Sequence, residues 1–536
     1  LTADNKKINV FGWASTAWLG GGSGSGGVSG VNTDLLAALT AYGVAYNTEL
    51  TDMYKDFQDG REYTRTLSAW PEQSGRLYEP DINNQTYYTQ SMLDNAKSFS
   101  DTAVVVIGRL AGESNDATKQ QYKRTEKGGN IVVDDTRTML ELTTEEEDLL
   151  NYVGANYAHV VVLINSTNVM ELGQIEAIPG IDACLIAGLS GSEGATAVPE
   201  VLWGDREPSG RTADIWAYDL TTAASYANAG MEGVGKYSAA DGLYPADGTT
   251  NGNLDTPYPY EQVSYVDYAE GIYIGYKWYE TADEEGYWDA ESNEHGTGYD
   301  AVVQYPFGYG LSYTSFDWSD FKADWSGDTC TAQVTVTNTG DVSGKDVVEV
   351  YVQSPYTDYD KTNGVEKPAV ELVGYGKTAE LAPGASETVS VTFAKDQLKA
   401  YDANGAKTYI LDAGDYYITA AKDAHEAVNN VLAAKGKTAD GDAAFTAVYP
   451  PANTETDTTT YATDSRTGAA ITNQLDAAKG DAVYLTRSDW TGTFPKPDGE
   501  PSDVISTWGN EINGTDADGN PASYQYKKTA DAALVA

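Results

Sequence analysis

The chain has 536 residues, of which 41% are hydrophobic and 39 are Tyr, enough apolar and aromatic material for two or three cores. Its 34 Lys+Arg stand against 80 Asp+Glu, a net charge of −46, which excludes nucleic acid and anionic membrane surfaces as partners because both require a basic face. With 2 Cys and 3 His, all far apart in sequence, there is no disulfide framework, no Cys- or His-based metal centre and no Ser-His-Asp triad to build, and no apolar run reaches the roughly 18 residues of a spanning helix.

Cys184 and Cys330 fall in segments of different character, and His159, His295 and His425 read as structural or surface residues. The chain starts Leu1-Thr2-Ala3 without an initiator Met or a signal peptide, which reads as processed or trimmed. Few basic residues, many Tyr and Trp and short Thr-rich linkers suit an extracellular or cell-surface protein of the bacterial secreted type.

Residues 1 to about 215 alternate strand and helix signals. Lys7–Gly12 (KINVFG) is strand-like, a Gly-rich stretch follows from Gly20 to Gly30, and NTDLLAALTAYG reads as a helix capped by Asn32 or Thr33 and stopped by Gly43. Val44–Leu50 is a candidate second strand, Asp52–Tyr88 is polar with interspersed aromatics, and Gln90–Phe99 is helical. Thr102–Ile107 is a short β-branched run ended by Gly108, the signature of a strand buried on both faces. Thr143 and Glu146 form a capping box ahead of the helix TTEEEDLLNYVGAN. His159–Ile164 (HVVVLI) and Ala183–Ala187 (ACLIA) are further strands, separated by a helix over Asn168–Ile178, and GLSGSEG leads into a helix over Ala195–Trp203. Repeated βα units of this length make a mostly parallel sheet with helices on both faces.

In such a sheet the crevice outside the carboxyl ends of the strands is where ligands bind. Glu113 lies just past the end of the Thr102 strand, and the Gly20–Gly30, Glu113 and Gly188–Gly194 loops each follow a strand. The topology therefore sends all three loops to one edge. Two motifs there and elsewhere carry less. Gly22-Ser-Gly-Ser-Gly-Gly27 fits G-x-G-x-x-G, yet about ten residues separate it from Gly12, whereas a dinucleotide fingerprint joins strand to helix tightly. Asp516-Ala-Asp-Gly-Asn520 opens like a calcium loop but lacks the Gly and Glu that such a loop needs, and reads as a turn. Asn-x-Ser/Thr triplets at Asn84, Asn165 and Asn513 are what chance supplies in a chain of this size.

From about 216 to 315 the chain is irregular and aromatic, through YVDYAEGIYIGYKWYE to YPFGYGLSYTSF, either anchoring an extended segment or lining a binding surface. Between 316 and about 448, TCTAQVTVTNTG, DVVEVYVQSP, AVELVGYGKT, ASETVSVTFAK and DYYITAAKD alternate with period two, which indicates an antiparallel β-sandwich. From Pro450 a Thr/Asp/Ala-rich linker runs into a tail with little periodicity.

Four segments together resemble the C-terminal half of glycoside hydrolase family 3, the β-glucosidase and β-xylosidase family. They are KINVFG with GGGSGSGG; VVVIGRLAGESND; VVVLINSTNVMELG through GLSGSEGATAVPEVLWGDREPSGR; and YAEGIYIGYKWYE with YPFGYGLSYTSF. The resemblance runs from residue 6 to about 448 and implies a six-stranded α/β sandwich domain over 1–215. It further implies a packed connecting segment over 216–315, a fibronectin type III-like sandwich over 316–448, and a linker and tail over 449–536. By the same resemblance Glu113 is the general acid/base of a retaining β-glycosidase, Ser25 with Gly24 is the sugar contact in the Gly-rich loop, and Asp116 supports the acid/base. Retention needs a second carboxyl roughly 5 Å away as nucleophile. In the family that Asp lies on an (α/β)8 barrel, which this chain lacks; Asp489 in SDW is only superficially similar. The tail resembles members of reversed domain order, so a barrel on a second chain is the expected partner, with homo-oligomers of the complex also allowed. The implied substrate is a terminal β-glucoside or cello-oligosaccharide, with xylosides as the variant, and no cofactor or metal is needed. A general acid at Glu113 calls for a raised pKa, which a partly dry crevice supplies. The reading from another class is a non-catalytic carbohydrate-binding or assembly subunit of the same fold.

Overall fold

A computed structural model of the chain describes residues 1–22, 24–57, 76–113, 117–226, 235–236, 243–244, 258–259, 264–265, 268–438, 440–450, 454–473 and 483–490. Asp116, Asn513, the 516–520 turn and the tail beyond 490 lie outside the described residues.

The first unit is a parallel sheet of β1 (Lys7–Phe11), β2 (Ala45–Tyr46), β3 (Thr102–Arg109), β4 (His159–Ser166) and β5 (Ala183–Ile186), in the order β2-β1-β3-β4-β5. β3 lies at its centre with all eight residues buried, as a strand covered on both faces must be. Helices Leu35–Ala41, Thr48–Phe57, Gln90–Phe99, Thr144–Asn156 and Ala197–Leu202 bury Leu39, Leu50, Leu93, Leu149 and Val198 in the core that the sheet residues Val10 and Val105 share. The expected capping box is present, with the Glu146 amide donating to the Thr143 hydroxyl at 3.1 Å and the Thr143 amide to Glu146 at 2.9 Å.

Several expectations are corrected. Among the described residues the sheet has five strands rather than six; Trp216–Ala217, which follows the last helix, pairs antiparallel with Val303–Tyr305 instead. The first helix is capped by Asp34, whose carboxylate takes the Ala37 amide at 2.8 Å, because Asn32 and Thr33 are engaged elsewhere. The Val44–Leu50 strand shrinks to β2, and a helix follows it at once. Its buried Leu50, Tyr54 and Phe57 sit at i, i+4 and i+7, a helical spacing that the polar residues between them masked. The Asn168–Ile178 helix is a single turn, Gly173–Glu176, which Leu172 opens without a side-chain cap. The long loop after Glu113 contributes Gln121–Lys123 and Val132–Asp134 to a small sheet that Arg76–Leu77, from earlier in the chain, completes.

The β-sandwich has one sheet of β6 (Phe316–Ser326), β7 (Thr329–Asn338) and β10 (Ser386–Ala394), facing another of β8 (Val347–Gln353), β9 (Glu371–Lys377), β11 (Tyr416–Ala421) and β12 (Thr446–Tyr449). β6 hid from the sequence because a bulge interrupts its period. Phe316 and Trp318 alternate in even positions, the register shifts between Ser319 and Lys322 around Asp320 at φ 55°, and Phe321, Ala323 and Trp325 continue in odd ones. A helix over Ala424–Ala434, also absent from the sequence reading, packs beside β11.

The aromatic connecting segment makes a core of its own from Tyr273, Trp278, Tyr279, Trp288 and Tyr299, with Leu485 of the tail buried in it. Its largest rings are therefore anchors. The described tail folds back onto the chain. Leu485 donates its amide to the Ala269 carbonyl at 2.8 Å, and Arg487 reaches Glu284 at 2.9 Å and the Lys367 carbonyl at 3.0 Å.

Two charged groups set testable limits. Arg109, at the end of β3, is fully buried; its guanidinium meets both oxygens of buried Glu146 at 2.8 and 2.6 Å, and the Met139 carbonyl at 2.6 Å. Breaking a buried pair leaves an uncompensated charge, so Glu146→Gln should cost about 3 kcal/mol in urea unfolding. His425 joins the Ala424–Ala434 helix to the helix Tyr276–Glu284, stacking on Tyr299 at 3.8 Å with Nδ1 3.0 Å from Glu280. Burial opposes its charge, but Glu280, Asp283 and Asp423 overcome that and push its pKa up to about 9. A raised imidazole pKa gives stability that is complete below the unfolded value and lost as pH rises through the folded one. The melting temperature of His425→Gln should therefore fall well short of wild type at pH 6, with the gap closing as pH passes 9.

Candidate active site

The carboxyl ends of β1, β3, β4 and β5 open onto one edge of the sheet, and a web of hydrogen bonds ties their loops together there. Past β3, the Ala111 amide donates to the Thr167 hydroxyl at 2.8 Å and the Thr167 amide donates to the Arg109 carbonyl at 3.1 Å, so the root of the Glu113 loop is held by the end of β4. Past β1, the Gly-rich loop closes on itself through Gly22 N–H to Gly26 O at 3.0 Å, with a short 3-10 turn over Gly24–Gly26. The first α-helix waits until Leu35, so the tight strand-to-helix turn of a dinucleotide site is not formed. Past β5, Gly191 N–H meets Gly20 O at 2.8 Å, Trp18 Nε1 donates to Ser190 Oγ at 2.8 Å, and Glu193 receives Asn32 Nδ2 at 2.8 Å and Thr33 Oγ1 at 2.7 Å. That grip on Asn32 and Thr33 is what takes them away from the helix cap.

At the centre of this edge, residues 88 positions apart meet: the Ser25 amide donates to Glu113 Oε2 at 2.7 Å. Gly24 makes the approach possible. It sits at φ +59°, and a Cβ built on it would run into the Glu113 side chain, so both backbone conformation and space require glycine. The structure thus brings Glu113, Ser25 and Gly24 together, while Asp116 lies outside the described residues. Asp489 is exposed in a turn between Arg487 and Trp490, and Arg487 is held by Glu284 and Glu285 of the connecting segment.

The electrostatics depart from expectation. Glu113 is exposed, and hydrogen bonds from the Ser25 amide and then the Ser25 hydroxyl hold its pKa below the ordinary carboxylate value, with burial too slight to oppose them. In this chain it is a carboxylate, not a raised-pKa acid. Burial does raise Glu79, to about 8; its carboxyl accepts the Trp13 amide at 3.0 Å, just past β1, and the Tyr88 hydroxyl at 2.9 Å. The sequence reading missed Glu79, Glu193 and Asn165. Asn165 had a visible cue, the first polar residue after the apolar run HVVVLI. Among the described residues no group of three or more His, Cys, Asp and Glu could hold a metal ion.

The model of the glycosyl hydrolase family 3 C-terminal domain matches residues 1–313, and that of the fibronectin type III-like domain matches 346–424. The chain belongs to glycosyl hydrolase family 3. Relatives include β-glucosidase A of Butyrivibrio fibrisolvens, 28% identical over 437 residues that make up 77% of this chain and 45% of that protein. A β-glucosidase of Ruminococcus albus is 28% identical over 432 residues, 79% of this chain and 37% of its own length. The chain thus spans less than half the length of either relative. Among solved structures, a β-glucosidase from Paenibacillus barengoltzii superposes with a TM-score of 0.57 at 27% identity, covering 78% of this chain and 39% of that one. β-Glucosidase 3B from Thermotoga neapolitana, at 23% identity and a TM-score of 0.56, covers 84% of this chain and 50% of its own and shares the fold.

The contact between the Gly-rich loop and Glu113 yields a direct test. Gly24→Ala forces a left-handed Cβ into the Glu113 side chain, a backbone cost of about 1–2 kcal/mol. Its expected result is loss of the Ser25–Glu113 bond, read as an upward move of the Glu113 carboxyl titration in 13C NMR.

Proposed function

We propose that residues 1–536 form the acid/base-carrying part of a retaining β-glycosidase, most simply a β-glucosidase acting on terminal non-reducing β-glucosyl residues. The observation that carries this reading is the meeting of Glu113 with the Gly-rich loop at the carboxyl edge of the parallel sheet. Glu113 would protonate the leaving oxygen and later activate water, Ser25 and Gly24 would shape the sugar contact, and a barrel outside residues 1–536 would supply the nucleophile about 5 Å away.

The depressed pKa of Glu113 bears on how this works. A general acid must hold its proton near working pH, and an exposed carboxylate that accepts hydrogen bonds from Ser25 does not. Covering the crevice with a barrel removes water from Glu113 and brings a second carboxylate close, and both effects raise its pKa. The same exposed carboxylate favours a second reading, a carbohydrate-binding subunit in which Glu113 accepts sugar hydroxyls. Glycan affinity without turnover in the presence of a barrel chain would select it.

Native mass spectrometry beside an aryl β-glucoside assay shows whether activity follows a complex with a barrel-sized chain. In that complex Glu113→Gln is expected to reduce turnover of substrates with poor leaving groups by 100-fold or more, on the order of a lost general acid, and of activated aryl glycosides far less. Equal losses on both substrate types would count against the acid role.

A further inference from the structure

Asn165 is fully buried next to the end of β4, paired in register with Gly108 of β3, and its carboxamide is committed to loop backbone alone. Oδ1 accepts the Leu19 amide at 2.7 Å, and Nδ2 donates to the Leu19 carbonyl at 2.9 Å and to the Gly188 carbonyl at 2.7 Å. Leu19 is the residue that launches the Gly-rich loop, and Gly188 is the residue that launches the GLSGSEG loop. A side chain that engages both polar groups of one loop residue acts as a one-residue piece of sheet: it fixes the residue's position and its orientation. Two residues on, Thr167 fixes the Glu113 loop through Ala111. The end of β4 is therefore the common post for the three loops that meet at the site.

We propose that Asn165 is the positioning residue of the site: by holding Leu19 and Gly188 to one point, it places the Gly-rich loop where the Ser25 amide reaches Glu113. It touches neither the sugar nor Glu113 and acts through the loop. A buried asparagine that served the core alone would leave the Glu113 environment unchanged when replaced, and this separates the two roles. The proposal deepens the acid/base reading of Glu113 and rests on it for its bearing on catalysis, whereas its geometry is measurable without turnover.

The experiment uses the full chain with 13C-labelled glutamate, the Glu113 signal being assigned by its disappearance in Glu113→Gln. Asn165→Asp keeps the shape and the acceptor for Leu19 but sets a carboxylate against two carbonyl oxygens, and Asn165→Ser removes the reach. Both are expected to shift the Glu113 titration upward toward the ordinary carboxylate range, while Glu193→Gln, which loosens only the outer clamp, shifts it less. An unchanged Glu113 titration in folded Asn165 variants overturns the proposal. Should both variants fail to fold, hydrogen exchange of the wild-type chain decides. The Leu19 amide, whose acceptor is Asn165, should exchange as slowly as that of Ile164 in β4, and exchange at the rate of an open loop overturns the proposal. If instead Glu113→Gln leaves hydrolysis intact in an active complex, the acid/base reading fails and the Asn165 geometry is still decided by the titration and exchange results.

Discussion

Parallel pairing is the constraint on which the candidate site depends. When β1, β3, β4 and β5 run side by side in one direction, their carboxyl ends and the loops that leave them share an edge, however far apart those loops lie in sequence. Direction alone brings loops into one neighbourhood; it does not place atoms. Placement comes from the polar groups at the end of β4, where Asn165 and Thr167 turn three neighbouring loops into one braced unit. Glu113 and the Ser25 amide meet at 2.7 Å as a consequence.

A chain with 80 acidic and 34 basic residues uses its buried cations at joints. Arg109 ties β3 to the helix capped by Thr143, Arg211 joins Asp346 across to the β-sandwich at 2.7 Å, and Lys367 is held between Asp360 at 2.7 Å and Asp412. Arg487 clamps the tail to Glu284 and Glu285 on the connecting segment. In each case a cation is nearly or fully enclosed by carboxylates or carbonyls, the condition under which a buried charge is tolerated.

Much of the fold was legible before the structure. The β-branched runs at Thr102 and His159 and the capping box at Thr143 are local signals, and local signals survive when tertiary context agrees with them. The errors have particular causes. The Thr48–Phe57 helix was masked by polar residues between its buried positions, and β6 by a bulge at Asp320 that breaks a period of two. Asn32 and Thr33 have the chemistry of helix caps, yet Glu193, some 160 residues away, holds their side chains, and Asp34 caps instead. No window of sequence contains that competition.

The sequence by itself determined which loops would share the site edge, because the parallel direction of the strands follows from the βα repeat, and which side chain there could carry acid/base chemistry. Only the tertiary structure decided the state of that side chain. A carboxyl group's pKa is set by what surrounds it, and Glu113 is exposed and accepts hydrogen bonds from the Ser25 amide and hydroxyl, which lower its pKa. Likewise only the fold revealed Asn165 as a brace, since a carboxamide acquires that role from two carbonyls and an amide that reach it from distant segments of the chain.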